Sequence, residues 1–105
     1  MHIISKGIFC RPGFVRTFSR IGQFKKDVKR ADQRGEDLAK LREVMELLIE
    51  GEPLPAKFKD HPLRGNFAGS RDCHIEPDWV LIYTLTEKDA HVRFERTGTH
   101  SDLFR

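Results

Sequence analysis

The chain has 105 residues, 38% of them hydrophobic and 33% charged, which is enough for one small domain and too little for two. Its 19 Lys and Arg against 16 Asp and Glu give a net charge of +3, which agrees with an anionic partner such as RNA and equally with an ordinary solvated surface. The two cysteines form no disulfide framework and favour a reducing cytoplasm, and no apolar stretch approaches the length of a membrane span.

The N-terminal segment has no clear period, because glycine and proline interrupt its isoleucines. We interpret residues 1–13 as an N-terminal extension and residues 14–105 as the folded domain. Residues 14–20 alternate in part between apolar and basic side chains, and this pattern predicts a short first strand.

Two helical patterns follow the first strand. Phe24, Val28 and Ala31 recur on one face, which predicts a helix that ends near Gly35. Residues 37–50 carry a second apolar stripe, formed by Leu38, Leu41, Met45, Leu48 and Ile49. A glycine and two prolines end this segment, so we predict a helical hairpin.

The second half of the chain reads as strands. Residues 67–76 and 90–97 are strand-like, and residues 79–85 are almost continuously apolar, as in a central strand that is covered on both faces. Short polar turns join the three segments, which makes the strands antiparallel neighbours. The predicted fold is therefore α+β, with a helical hairpin packed on an antiparallel sheet.

The residues best suited to chemistry are three histidines in loop or strand-end positions: His61, His74 and His100. No phosphate-binding loop, dinucleotide fingerprint or nucleophile elbow is present in the sequence. Histidine exchanges protons near neutral pH, and RNA cleavage needs a base for the ribose 2′-OH and an acid for the leaving 5′-oxygen. The residues nearby that suit such a site are Asp78, two arginines for the phosphate (Arg71 and Arg96), and two aromatic residues for base stacking (Trp79 and Phe104).

Each of these residues also has a plainer interpretation. The histidines fit solvent-facing or turn positions, Trp79 opens an apolar strand and by itself favours the core, and Arg96 shares parity with core residues. Asp72 and Arg71 fit a pair of surface charges. A zinc site is a second chemical option, but no compact ligand spacing links the candidate histidines His61, His74, His91 and His100, so we expect neither metal nor cofactor.

Three segments together resemble the YafQ branch of the RelE/ParE toxin superfamily: GQFKKDVKRA (22–31), LPAKFKDHPLRGNFAGSRDCHIEPDWVLIY (54–83) and RFERTGTHSDLF (93–104). The resemblance runs from about Arg16 to the end of the chain. The DHPL, RDxHxEPDW and RTGTHxxLF motifs occur in one order, and their combination is far more specific than any one of them.

The resemblance implies a RelE-like fold and a ribosome-dependent mRNA interferase. It implies that His100 is favoured as the general acid and that His61 and Asp78 are candidates for the base side. It also implies that Arg96 lies near the scissile phosphate. The remaining positions that it implicates in activity are His74, Trp79 and Phe104.

The resemblance also implies partners: a cognate antitoxin in a heterotetrameric complex, and mRNA in the ribosomal A site. Two other functions stay open at this point. A ParE-like toxin shares the fold but inhibits gyrase. Binding to gyrase has no evident need for the histidines. A non-catalytic ribosome- or RNA-binding protein would use the basic first helix.

Overall fold

The computed structural model describes residues 15–104, so the expected extension at residues 1–13 lies outside the described part. In chain order the elements are β1 (Thr17–Arg20), α1 (Gly22–Gln33), α2 (Leu38–Ile49), a 3₁₀ turn (Ala56–Phe58), β2 (His61–Pro62), a second 3₁₀ turn (Gly65–Phe67), β3 (Arg71–Glu76), β4 (Trp79–Thr86), β5 (His91–Gly98) and α3 (His100–Phe104). None of the helices within residues 15–104 is long and apolar enough to span a bilayer.

The strands form one five-stranded sheet in the order β1-β5-β4-β3-β2. The predicted antiparallel pairing of β3, β4 and β5 is confirmed. The predicted α+β fold with helices on a largely antiparallel sheet is confirmed, except that β1 pairs parallel to β5. Short turns determine direction only between strands that they join, whereas β1 is separated from the other strands by both long helices.

The helical hairpin is confirmed within a residue or two at each end. Gly35, with a φ of 84°, takes the left-handed conformation between the helices, which costs glycine little. Asp37 then starts α2 as its N-cap, and its side chain accepts a hydrogen bond of 3.0 Å from the backbone N–H of Ala39.

The core lies on both faces of β4, as its apolar sequence predicts. Side chains alternate along a strand, so Trp79, Leu81 and Tyr83 pack into the larger cluster with α1 and α2. Val80 and Ile82 point to the opposite face, where they pack against Leu103 of α3 and against Leu63 and Phe67. This second face, which the hairpin does not cover, is the face that carries the histidines.

Besides the short strand β2, two further elements on that face are absent from the sequence-based prediction. Strand β3 begins only at Arg71, and the segment before it folds as the 3₁₀ turn Gly65–Phe67. The C-terminal residues form α3, whose first residue is His100. Both elements border the site described next.

Candidate active site

The three histidines chosen from the sequence meet in a row. His61 lies on β2 opposite Asp72, His74 lies on β3, and His100 opens α3. Ring centroids are 6.1 Å apart between His61 and His74 and 5.3 Å apart between His74 and His100. The sheet therefore brings together histidines that are far apart in sequence.

Asp78 holds His100 by two hydrogen bonds to one oxygen. Its Oδ1 accepts from the backbone N–H of His100 at 3.0 Å and from the ring Nδ1 at 2.8 Å. The hydrogen bond from the His100 ring keeps the pKa of Asp78 below its usual value. Nδ1 therefore carries a hydrogen, and Nε2 is the nitrogen that remains for proton exchange with a substrate.

His61 and Asp72 lie side by side at one end of the row. Nδ1 of His61 lies 2.8 Å from the carbonyl oxygen of Lys59, which can only accept, so Nδ1 donates. Nε2 lies 3.0 Å from Oδ1 of Asp72. The second ring nitrogen of His61 therefore lies beside a carboxyl group.

The Asp72 carboxyl is buried, with 2% of the residue exposed. Desolvation raises the pKa of Asp72, against the opposing charges of the nearby histidines. Although Oδ1 is close to His61, it receives no well-directed hydrogen bond from any residue in the described range. The earlier interpretation of Asp72 as a surface charge is wrong, because β2 and β4 flank it on both sides.

His74 stands in the middle of the row, with its ring between those of His61 and His100. It is partly exposed, and within residues 15–104 no hydrogen bond to its ring is formed. Since strand residues two apart share a face, His74 lies on the same side of β3 as Asp72. That spacing was the sequence signal that would have placed Asp72 in the site.

A capping box supports the helix that carries His100. Thr99 Oγ1 accepts from the backbone N–H of Asp102 at 3.1 Å, and Asp102 Oδ2 accepts from the backbone N–H of Thr99 at 2.9 Å. Arg34, at the end of α1, donates to the same Oδ2 at 2.8 Å. These contacts, with that of Arg34 first, hold the pKa of Asp102 far below its usual range.

A second anchor lies behind His61. Asp60 accepts hydrogen bonds from the Tyr83 hydroxyl and from Nε and Nη2 of Arg71. Arg71 pairs in register with Tyr83, on the face of β3 opposite to His74. The structure therefore places Arg71 away from the histidine row, as support for the loop that carries His61.

Arg96 also has a carboxylate partner that the sequence did not indicate. Asp27 of α1 is 1% exposed, and its Oδ2 accepts from Nε of Arg96 at 2.7 Å and from the backbone N–H of Thr97 at 3.1 Å. The side chain of Arg96 is 24% exposed. Arg96 is thus a partly exposed cation held on β5, with its contacts directed to α1.

Trp79 must be corrected to a core residue. Its ring is 2% exposed, and its Nε1 donates to Thr97 Oγ1 at 3.0 Å. Thr97 in turn donates to the carbonyl of Val80 at 2.8 Å. An indole buried in this way has no free face for a base, whereas Phe104 is 38% exposed with its ring centroid 5.9 Å from that of His100.

The side chains of the site are groups that can exchange protons. In the described part of the chain, no three His, Cys, Asp or Glu side chains converge as metal ligands would. Cys73 lies in the core, where burial raises the pKa of its thiol well above the usual value. What the site offers is three imidazoles, one exposed carboxylate and one buried carboxyl.

Comparison with known proteins gives a consistent set of relatives. The family model described as the bacterial toxin of the type II toxin–antitoxin system, YafQ, matches residues 16–105. The mRNA interferase toxin YafQ of Escherichia coli K12 is 58% identical over 84 residues, which is 79% of this chain and 89% of the relative.

Solved structures agree with this result. The crystal structure of YafQ from E. coli BL21(DE3) superposes with a TM-score of 0.81 and 53% identity, covering 86% of this chain and 99% of that one. The E. coli DinJ–YafQ toxin–antitoxin complex gives a TM-score of 0.79 and 54% identity over 86% and 98% of the two chains. The chain therefore belongs to the YafQ family of bacterial type II toxin–antitoxin toxins.

Proposed function

We propose that this chain is an mRNA interferase, an endoribonuclease that cuts mRNA on the ribosome by acid–base catalysis without a metal. The observation that carries the proposal is the row of three imidazoles with Asp78 and Asp72 at its two ends. The name of the E. coli relative says the same of that protein, mRNA interferase toxin.

The acid in this proposal is His100. Its Nδ1 is bound to Asp78, so the imidazolium presents Nε2–H as the donor to the leaving 5′-oxygen. Asp78 orients the ring and balances its charge. Because its pKa lies below the usual value, Asp78 stays ionised at neutral pH and is a weak acceptor for the substrate proton.

The base in this proposal is His74. It is the nearest imidazole to His100, with 5.3 Å between ring centroids, and no hydrogen bond within the described residues engages its ring. We propose that His61 shares a proton with Asp72, whose Oδ1 lies 3.0 Å from its Nε2. We assign Arg96, a partly exposed cation, to electrostatic stabilisation of the phosphate, and the His61–Asp72 pair to a supporting role beside the other two histidines.

The proposed step is an internal transfer at phosphorus. The ribose 2′-oxygen attacks the adjacent phosphorus while its proton passes to His74. The bond from phosphorus to the 5′-oxygen breaks, and that oxygen takes a proton from His100. The products are a 2′,3′-cyclic phosphate and a free 5′-OH, so atoms and charges balance without water or metal.

The test is cleavage of mRNA positioned on purified ribosomes, comparing the wild type with His74→Ala and His100→Ala. Loss of a general acid or base typically lowers the rate by about 10²- to 10⁴-fold. His91→Ala is the matched control, because His91 lies on β5 with its ring bound to Thr17 and Ser19. Full cleavage by both site variants, or cleavage of a 2′-deoxy substrate, would exclude this mechanism.

Acid and base are separable with a modified substrate. A sulfur in place of the leaving 5′-oxygen departs without protonation, so it removes the need for an acid. We expect this substrate to restore cleavage by His100→Ala and not by His74→Ala. The opposite pattern would exchange the two assignments.

The family suggests the partners of this chain. We propose that it binds a cognate antitoxin, in a heterotetramer, and that its RNA substrate is mRNA in the ribosomal A site of the cytoplasm. The E. coli relative was solved in complex with the antitoxin DinJ. Co-expression with an antitoxin of the DinJ type and measurement of the complex mass test the first part of this proposal.

A further inference from the structure

Two phenylalanine rings continue the histidine row beyond His100. The Phe104 centroid lies 5.9 Å from that of His100, and the Phe67 centroid lies 5.7 Å from that of Phe104 in an edge-to-face arrangement. Five aromatic rings therefore follow one another across the face that the helical hairpin leaves uncovered, at successive spacings of 5.3 to 6.1 Å. The imidazoles form one end of this row and the phenyl rings form the other.

The fold holds Phe67 in place. Phe67 ends the 3₁₀ turn Gly65–Phe67, and its carbonyl accepts from the backbone N–H of Ser70 at 2.9 Å. Gly65 and Gly69 have φ values of 66° and 93°. A side chain would disfavour these values, so this turn depends on glycine at both positions. One part of the Phe67 ring packs on the cluster of Val80, Ile82 and Leu103, and the residue as a whole remains partly exposed.

We infer that Phe67 and Phe104 form the binding subsite for one RNA base, that of the nucleotide which leaves with the 5′-OH. Aromatic rings bind unpaired bases by stacking, and both phenyl rings are partly exposed. In the proposed mechanism His100 protonates the leaving 5′-oxygen, and the ring of His100 adjoins Phe104. The base at this subsite therefore belongs to the nucleotide that carries the 5′-oxygen. This inference rests on the proposed function, and it gives Phe67 the stacking role that burial denies to Trp79.

The chemistry of the subsite predicts its selectivity. Neither phenyl ring offers a hydrogen-bond donor or acceptor, so the subsite distinguishes bases by the area that they stack and not by their edges. A purine presents the larger face. We therefore expect cleavage to be faster with a purine than with a pyrimidine at this position, and slowest with an abasic nucleotide.

The experiment crosses protein variants with substrates. Single-turnover cleavage on ribosomes is measured for the wild type and Phe67→Leu, with either a purine or an abasic nucleotide after the scissile bond. Leucine keeps the apolar contact but cannot stack. Phe18→Leu on β1 is the matched control, since Phe18 is 50% exposed and is on the opposite edge strand from the turn that carries Phe67.

We expect Phe67→Leu to lower kcat/KM about tenfold with the purine substrate. The abasic substrate is expected to slow the wild type by a similar factor and to slow Phe67→Leu little further. Phe67→Trp, which restores a stacking face, is expected to recover the sensitivity to the base. A ring that only packs on the core would not produce this dependence.

Two results would overturn the subsite. Equal slowing of the wild type and Phe67→Leu by the abasic nucleotide would mean that the ring does not hold that base. Normal cleavage by Phe67→Leu with every substrate would mean that the phenyl pair is packing alone, or binds a partner other than the mRNA. A wild type that cleaves no ribosome-bound mRNA would instead refute the proposed function, and the subsite with it.

Discussion

Gly98 leaves no space for a side chain beside Asp102. A Cβ atom at Gly98 would lie 2.9 Å from Oδ2 and 3.1 Å from Cβ of Asp102, and 3.2 Å from Nη2 of Arg30. The last residue of β5 therefore packs directly against the first turn of α3. Since His100 opens α3, this close approach sets where the proposed acid stands relative to the other histidines.

We expect Gly98→Ala to have a larger effect on mRNA cleavage than on the free energy of unfolding. The methyl group would displace the Asp102 carboxylate and tilt α3, at a cost of about 1–3 kcal/mol in the free energy of unfolding, while moving His100 out of the row. Denaturant unfolding and ribosome-bound mRNA cleavage measure the two effects. Gly22→Ala is the control, because no atom would lie within 4 Å of its new methyl group. If Gly98→Ala is destabilised but cleaves mRNA normally, the position of α3 does not determine the activity.

The ion pair between Arg34 and Asp102 predicts a pH-dependent stability. We expect Asp102→Asn to lower the free energy of unfolding at pH 7 by roughly 1 kcal/mol. The amide oxygen of asparagine still caps α3, but it lacks the negative charge that pairs with Arg34. The pKa of Asp102 is depressed in the folded state, so its contribution is present above the unfolded value of about 3.9 and is lost as pH falls below it.

Unfolding measured at pH 7 and again below pH 4 checks this prediction. The difference between wild type and Asp102→Asn should shrink toward acid pH. Asp32→Asn, an exposed position on α1, should show little difference at either pH. A constant difference across the range would mean that the ionisation of Asp102 contributes nothing.

The outline of the fold and the histidine row were predictable because they depend on local pattern. Short turns specify antiparallel strands, and His61, His74 and His100 stand out as polar residues at strand ends or in loops. Even α3 has a local signal, since Thr99 and Asp102 have the spacing of a capping box.

The carboxyl groups behind the site were not predictable because their roles depend on distant partners. The buried carboxylate of Asp27 binds Arg96, which lies 69 residues later in the chain. Asp72 is adjacent to Arg71 in sequence, yet its burial comes from pairing with β2 and β4. The burial of Trp79 depends in the same way on Thr97, which accepts its indole N–H.

Asp72→Asn is expected to raise the free energy of unfolding and to reduce cleavage activity. Burial raises the pKa of Asp72 in the folded state, so protonation of this group favours folding, and that contribution is lost as pH rises from about 4 through the folded pKa. An uncharged amide removes the cost of burying an ionised carboxylate. We expect this change to add about 1 kcal/mol to the free energy of unfolding at pH 7.

Activity should fall in the same variant, because His61 loses the carboxylate with which we propose that it shares a proton. Thermal unfolding at pH 5 and pH 7 gives the stability, with a larger gain expected at pH 7, and single-turnover cleavage gives the rate. His61→Asn and the double variant complete a cycle. If the two substitutions act independently on cleavage, the proposed proton-sharing pair is not part of the mechanism.

Asp78→Asn is expected to slow cleavage without destabilising the fold. The Asp78 side chain is 68% exposed, and asparagine still offers an oxygen to the backbone N–H and Nδ1 of His100. What it removes is the negative charge beside the imidazolium, and we expect the rate to fall by roughly 10- to 100-fold, a part of what a general acid contributes. Asp89→Asn, in the turn at the other end of β4, is the control.

The sulfur-substituted substrate decides how Asp78 acts. If Asp78 works through His100, the deficit of Asp78→Asn should largely vanish with this substrate, because a thiolate leaves without the acid. A deficit of the same size with both substrates would mean that Asp78 contacts the RNA or takes the 2′-OH proton itself. The unfolding temperature should match that of the wild type in either case, since the carboxylate lies at the surface.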